Sequence, residues 1–188
     1  MQTEVLSAPL IGSPGDIADL YTATDGDIKT AINAEAANPI VVGTMVKRGT
    51  TERSMLRIAA QADKASALGI VTRGHHLSEK EITKLAVGTA ELEALTPDTP
   101  AGVGRTGDYV VLIEEDVDVG DPVRVRCVAG PGEVAGAFLT SQDATDCILL
   151  PSDAFWWVKG GAVDPDTGFG VAVLHVEMNH IARATNDV

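Results

Sequence analysis

Residues 110–125, Val-Val-Leu-Ile-Glu-Glu-Asp-Val-Asp-Val-Gly-Asp-Pro-Val-Arg-Val, constrain the fold more than any other part of this chain. Four apolar residues, three of them β-branched, open the segment. Val117 and Val119 then alternate with acids, the period of a half-buried strand. Gly120-Asp121-Pro122 interrupts, because Asp bonds its own backbone and Pro withholds a ladder donor. Val123, Val125 and Cys127 resume the alternation, with Arg124 and Arg126 on the opposite face. The pattern predicts strand, turn, strand, with no catalytic group built into it.

The same reading extends along the chain. Strands are expected over residues 40–46 around Gly43, 55–59 with Leu56 and Ile58 inward, 68–72, 109–113, 117–119, 123–128, 147–150 and 154–158. The last, 169–178, places Val171, Val173, His175 and Glu177 on one face and Ala172, Leu174, Val176 and Met178 on the other. Two short helices are expected. One covers 25–37, with Ile28, Ala31 and Ile32 on one face, and ends at Asn38-Pro39. The other covers 79–85, after a capping box at Ser78-Glu79-Lys80-Glu81. The 19 Gly and 9 Pro favour short strands joined by turns, and 4% aromatics leave a core of Val, Ile, Leu and Ala. The fold class is therefore mainly β: a compact antiparallel barrel or sandwich with an extended N-terminal arm. Residues 1–36 read as that arm, because Leu10, Ile17, Leu20 and Tyr21 lie in turn-rich sequence and need a surface elsewhere. Residues 37–188 form the β-rich domain.

Charge narrows the partners. With 14 Lys and Arg against 27 Asp and Glu, the net charge is −13. The basic residues form no long run, so a polyphosphate partner is not expected. No apolar stretch is long enough for a membrane span, and the first ten residues lack the pattern of a secretion signal. Cys127 and Cys147 both adjoin apolar strand sequence. Buried free thiols are the simpler reading, with a single bridge left open.

Chemistry is sparse. The phosphate-loop, nucleophile-elbow and zinc-helix patterns are missing. Adjacent His75 and His76 would point to opposite faces of a strand, and His180 adds no ligand spacing. His175 reads as a core or edge histidine, although a pocket bringing it against a carboxylate would point to catalysis. Glu114, Glu115, Asp116, Asp118 and Asp121 lack the ordered spacing of a calcium hand and read as a solvated acidic edge. Asp164-Pro165-Asp166-Thr167-Gly168 reads as a plain turn. Phe155-Trp156-Trp157 is the one aromatic cluster. Both Trp rings covering the core of an aromatic-poor protein is the simpler reading, while a strand there would place one inside and one outside, where it could anchor a partner or a sugar. We expect no metal, no cofactor and no enzymatic activity.

Several segments, in order, resemble the structural cement (capsid decoration) proteins of tailed bacteriophages. They are Gly12-Ser13-Pro14-Gly15-Asp16-Ile17-Ala18-Asp19, Ile40-Val41-Val42-Gly43-Thr44-Met45-Val46 and Leu68-Gly69-Ile70-Val71-Thr72-Arg73. Val117-Asp118-Val119-Gly120-Asp121-Pro122-Val123-Arg124-Val125, then Gly136-Ala137-Phe138, then Phe169-Gly170-Val171-Ala172-Val173-Leu174, complete the set. The chain departs from the pattern at Val41-Val42, where an aromatic is common, and in the insertion around 78–88. The resemblance implies a non-enzymatic virion component on the outer capsid surface. It further implies binding to the major capsid protein, stabilisation of the shell, and a homo-oligomer, a trimer near local threefold positions. Leu10, Ile17, Leu20 and Tyr21 are then the candidate capsid contacts. The alternative is a carbohydrate- or receptor-binding β-module of a phage tail or baseplate, which would need exposed aromatics.

Overall fold

The computed structural model describes residues 12–18, 28–73, 81–142, 146–156, 161–177 and 185–186. In chain order its strands are β1 (Ile28–Asn33), β2 (Ile40–Val41), β3 (Met45–Arg48), β4 (Ser54–Arg57), β5 (Ala67–Thr72), β6 (Ile82–Val87), β7 (Ala90–Leu95) and β8 (Pro100–Gly104). They continue with β9 (Thr106–Ile113), β10 (Arg124–Arg126), β11 (Phe138–Leu139), β12 (Cys147–Leu149), β13 (Phe155–Trp156), β14 (Gly170–Glu177) and β15 (Thr185–Asn186). A short 3-10 helix, Gln61–Ser66, precedes β5.

Three sheets result. β1, β4, β3, β5 and β8 pair in a closed ring. A seven-stranded sheet runs β13-β14-β9-β11-β10-β12-β15, and a three-stranded one runs β2-β7-β6. Most pairings are antiparallel; β1 with β4 and β9 with β11 are parallel. The mainly β expectation holds. The ring encloses Val46, Met55, Val71, Leu95 and Val103. The large sheet buries Val111, Ile113, Val125, Phe138, Trp156 and Leu174 against Met45 and Ile70 of the ring and Ile58 just past β4. Leu112, on the opposite face of β9, packs with Val41, Ala94 and Phe169 under the three-stranded sheet. Both faces of β9 are thus covered, which is why 110–113 is continuously apolar instead of alternating. Along β14 the predicted alternation is present: Ala172, Leu174 and Val176 are buried, while Val171, Val173 and His175 are partly exposed.

Several local expectations are corrected. Residues 28–33, assigned to a helix by their Ile/Ala spacing, form strand β1. Its alternation puts Ala31 and Asn33 inward, and pairing with β8 over Ile28–Ile32 supplies its hydrogen bonds. Asn33 Nδ2 donates to the carbonyls of Leu95 (3.0 Å) and Thr96 (3.1 Å), and its Oδ1 accepts from Glu35 N. Over its described part, the second expected helix is strand β6, in a hairpin with β7 whose two-residue turn is Gly88-Thr89. In both cases the cross-strand partner outweighed local helical preference. Residues 40–46 split into β2 and β3 at Gly43, whose φ of +80° bends the chain. In β4 the inward residue is Met55, with Ile58 just beyond it; Leu56 is only half-buried.

Residues 117–119 are not a strand. Val117 is 3% exposed and donates its amide to Gly161, while Val119 is 63% exposed. The acids around them hold the loop. Asp116 Oδ1 accepts from Val163 N (2.7 Å) and Asp121 Oδ2 from Asp118 N (2.9 Å). Glu115 accepts from the amides and hydroxyls of Thr140 and Ser141. The stretch read as a solvated acidic edge is largely a set of loop ties, because carboxylates took backbone donors that a ladder would have used.

Candidate functional surface

The turn Ser13-Pro14-Gly15-Asp16 straps the ring to the large sheet. Asp16 Oδ2 accepts from Ser13 N at 2.8 Å and closes the turn. Gly15 N donates to Val110 O (2.7 Å), Val110 N donates to Asp16 O (2.8 Å), and Arg73 N donates to Gly15 O (2.8 Å). One residue therefore bridges β9 and the end of β5. Gly15 sits at φ +84°, and a Cβ there would lie 2.2 Å from Val42 Cγ1. Ile17, one of the four candidate capsid contacts, forms a bridge with Tyr109 and packs half-buried against the core of its own chain. Leu10, Leu20 and Tyr21 lie outside the described residues.

His175 does meet a carboxylate. Its Nδ1 is 2.6 Å from Asp108 Oδ1, and Phe155 stacks on its ring with centroids 4.8 Å apart. Phe155, His175 and Asp108 are register partners across β13, β14 and β9. This is a cross-strand row on one sheet face, with no nucleophile placed beside the imidazole by the contacts described. Trp156 is buried edge-on against Phe138 (centroids 6.4 Å, planes at 81°), and Phe155 is 37% exposed. Trp157, His75, His76 and His180 lie outside the described residues. Of the cluster's described residues, Trp156 joins the core and Phe155 does not. The 164–168 segment is a turn: Asp164 Oδ1 accepts from Asp166 N, and its carbonyl from Thr167 N and Gly168 N.

The cysteines occupy opposite faces of the β10–β12 ladder. Cys147 is the register partner of Arg126, so it shares that side, while Cys127 points the other way with Val125 and Ile148. Both are buried free thiols. Burial, reinforced by negative charge from Cys147, Asp63 and Asp146, pushes the Cys127 thiol up to about 12.

An opening lies at the ring's seam. β1 pairs with β8 along five residues but with β4 only at Ile32 and Asn33. Upstream of that point the 48–54 turn diverges and leaves a groove of about 610 Å³. Ile28, Leu68, Lys29, Arg48, Glu52 and Arg53 are among its lining residues. Sequence reasoning missed this surface because it assigned β1 to a helix.

Three sheets, a strap between two of them and a groove at the ring's seam are what the described residues present. A family model for structural cement proteins (E217 gp24/Pam3 gp6) matches residues 1–175. The chain belongs to this family of bacteriophage structural proteins, and the segments that carried the resemblance fall within the match. No curated protein matches the chain. Among the described residues no helix is long and apolar enough to cross a membrane.

Proposed function

We propose that this protein binds the outside of an assembled phage capsid, with the major capsid protein as its partner, and stabilises the shell. The family match over residues 1–175 carries this reading. Two physical features support it. Strand pairings of long sequence separation knit the body together, such as β1 with β8 and β9 with β14. The charge of −13 suits the outer face, since in the lumen it would repel the genome phosphates. Copies act as a homo-oligomer, a trimer, so that modest contacts add up.

Residues 1–36 remain the capsid-reaching part of this proposal, although 12–18 and β1 (Ile28–Asn33) within them are built into the body with 37–188. Leu10, Leu20 and Tyr21 supply capsid contacts, while Ile17 roots the arm in its own domain. Adding purified protein to undecorated shells tests the function. Saturation at a fixed copy number, with shells that rupture at a higher temperature, is the expected result. Shells equally sturdy with and without bound protein would overturn it. Since 12–18 belong to the fold, the arm is tested by deleting residues 1–10 alone; unchanged occupancy would reject its role.

A further inference from the structure

We infer that the seam between β1 and the 48–54 turn is a receptor for an extended acidic segment of the capsid protein, which adds as a strand beside β1. The partner's identity rests on the capsid-binding reading above; the chemistry of the groove does not. Ile32 N donates to Arg53 O at 2.7 Å and Ala34 N to Met55 O at 3.0 Å, so the β4-facing side of β1 is fixed. Backbone alternation puts the amides and carbonyls of Ile28 and Thr30 on that same side. The pairing with β4 begins only at Ile32, so among the described residues no strand lies against these groups, which face the groove. An unpaired strand edge of this kind is a template for another chain.

Side chains define what fits. Ile28 and Ile32 are both 42% exposed, on the outward face of β1. Among the described lining residues, Arg48 and Arg53 are exposed and set two guanidinium groups against one acid, Glu52. In a chain of net charge −13, this local excess of positive charge complements an acidic strand and would repel a basic one. An occupant alternating apolar and acidic side chains would lay the first against Ile28 and Ile32 and the second against the arginines.

Two arms test this. In the first, the protein is titrated with a capped heptapeptide alternating glutamate and valine, and with its lysine counterpart, while amide NMR signals are followed. The glutamate peptide should shift Ile28, Thr30 and Arg53 and the lysine peptide should not. Equal response to both, or to neither, overturns the receptor. In the second, shells are decorated with wild type, with Arg48→Glu/Arg53→Glu and with Arg48→Lys/Arg53→Lys. The reversed pair should lose occupancy at least tenfold with an unchanged melting temperature, and the lysine pair should retain it. Wild-type occupancy by the reversed pair overturns the capsid assignment while leaving decoration intact. Peptide binding without any shell binding by wild type keeps the receptor and overturns the capsid reading instead.

Discussion

Glu114 and Arg126 meet in an ion pair whose side chains are only 7% and 11% exposed. Glu114 also accepts from Val134 N at 2.7 Å, and Arg126 Nη1 lies 3.2 Å from Glu133. The pair ties the end of β9 to β10 and to the 130–136 loop. Burial holds the Glu114 carboxyl above its ordinary value despite the guanidinium and the amide. Glu114→Ala should cost about 3 kcal/mol, because it leaves a buried guanidinium with one partner fewer. Glu114→Met/Arg126→Met should cost less than the sum of the single changes. A denaturation cycle in urea measures both; strict additivity would show that the pair does not act as a unit.

Gly15→Ala should loosen the strap. Its positive φ and the 2.2 Å approach to Val42 Cγ1 leave no room for a methyl. The expected loss is about 2 kcal/mol, and protease should reach residues 12–18 first. A variant with native melting temperature and native proteolysis would show that the strap is not needed.

Acid should unfold the protein through the tied carboxylates. Burial raises Asp63, Glu93 and Glu115, but opposing contacts outweigh it and each ends below its ordinary value. For Asp63 these are Lys47 and the amides of Ala59 and Ala60; for Glu93, Arg73 and Lys84; for Glu115, Ser141 and Thr140. A lowered acid contributes stability above its unfolded value, 3.8 for Asp and 4.5 for Glu, and loses it as pH falls through the folded value. Glu114 has the opposite sign: its contribution is full below 4.5 and is lost as pH rises through its raised value. Glu115→Gln should therefore flatten the acid limb of stability against pH, and Glu114→Gln the limb just above it. Urea midpoints from pH 3 to 7 check this; parallel curves for all three proteins would refute it.

Native protein should react slowly with a thiol reagent at pH 8, since Cys127 is buried and its thiolate forms only near 12. Both thiols should react at once in denaturant. No disulfide should form on mild oxidation, because Cys127 and Cys147 face opposite sides of their ladder. A bridged monomer on a non-reducing gel would contradict that register.

Much of the β-core was legible because side-chain pattern and burial coincide there. β14 alternates as one buried face requires, and 110–113 is apolar throughout because β9 is covered on both faces. The strap was legible only as a turn. Its grip depends on Val110, Arg73 and Val42, which are distant in sequence. Strand β1 and hairpin β6–β7 were misread for a related reason. Ile-Lys-Thr-Ala-Ile and Thr-Lys-Leu-Ala-Val carry residues that suit either period, and local spacing cannot see the strand lying alongside.

By itself, the sequence determined the fold class, the aliphatic core, the acidic surface and the family, since composition and ordered segments are properties of the chain alone. Tertiary structure decided which acids became loop ties, which cysteine faces which side, and where β1 parts from β4 to leave a cationic seam. Those outcomes depend on partners brought together from distant parts of the chain, and a pairing between remote strands leaves no mark in either strand's own spacing.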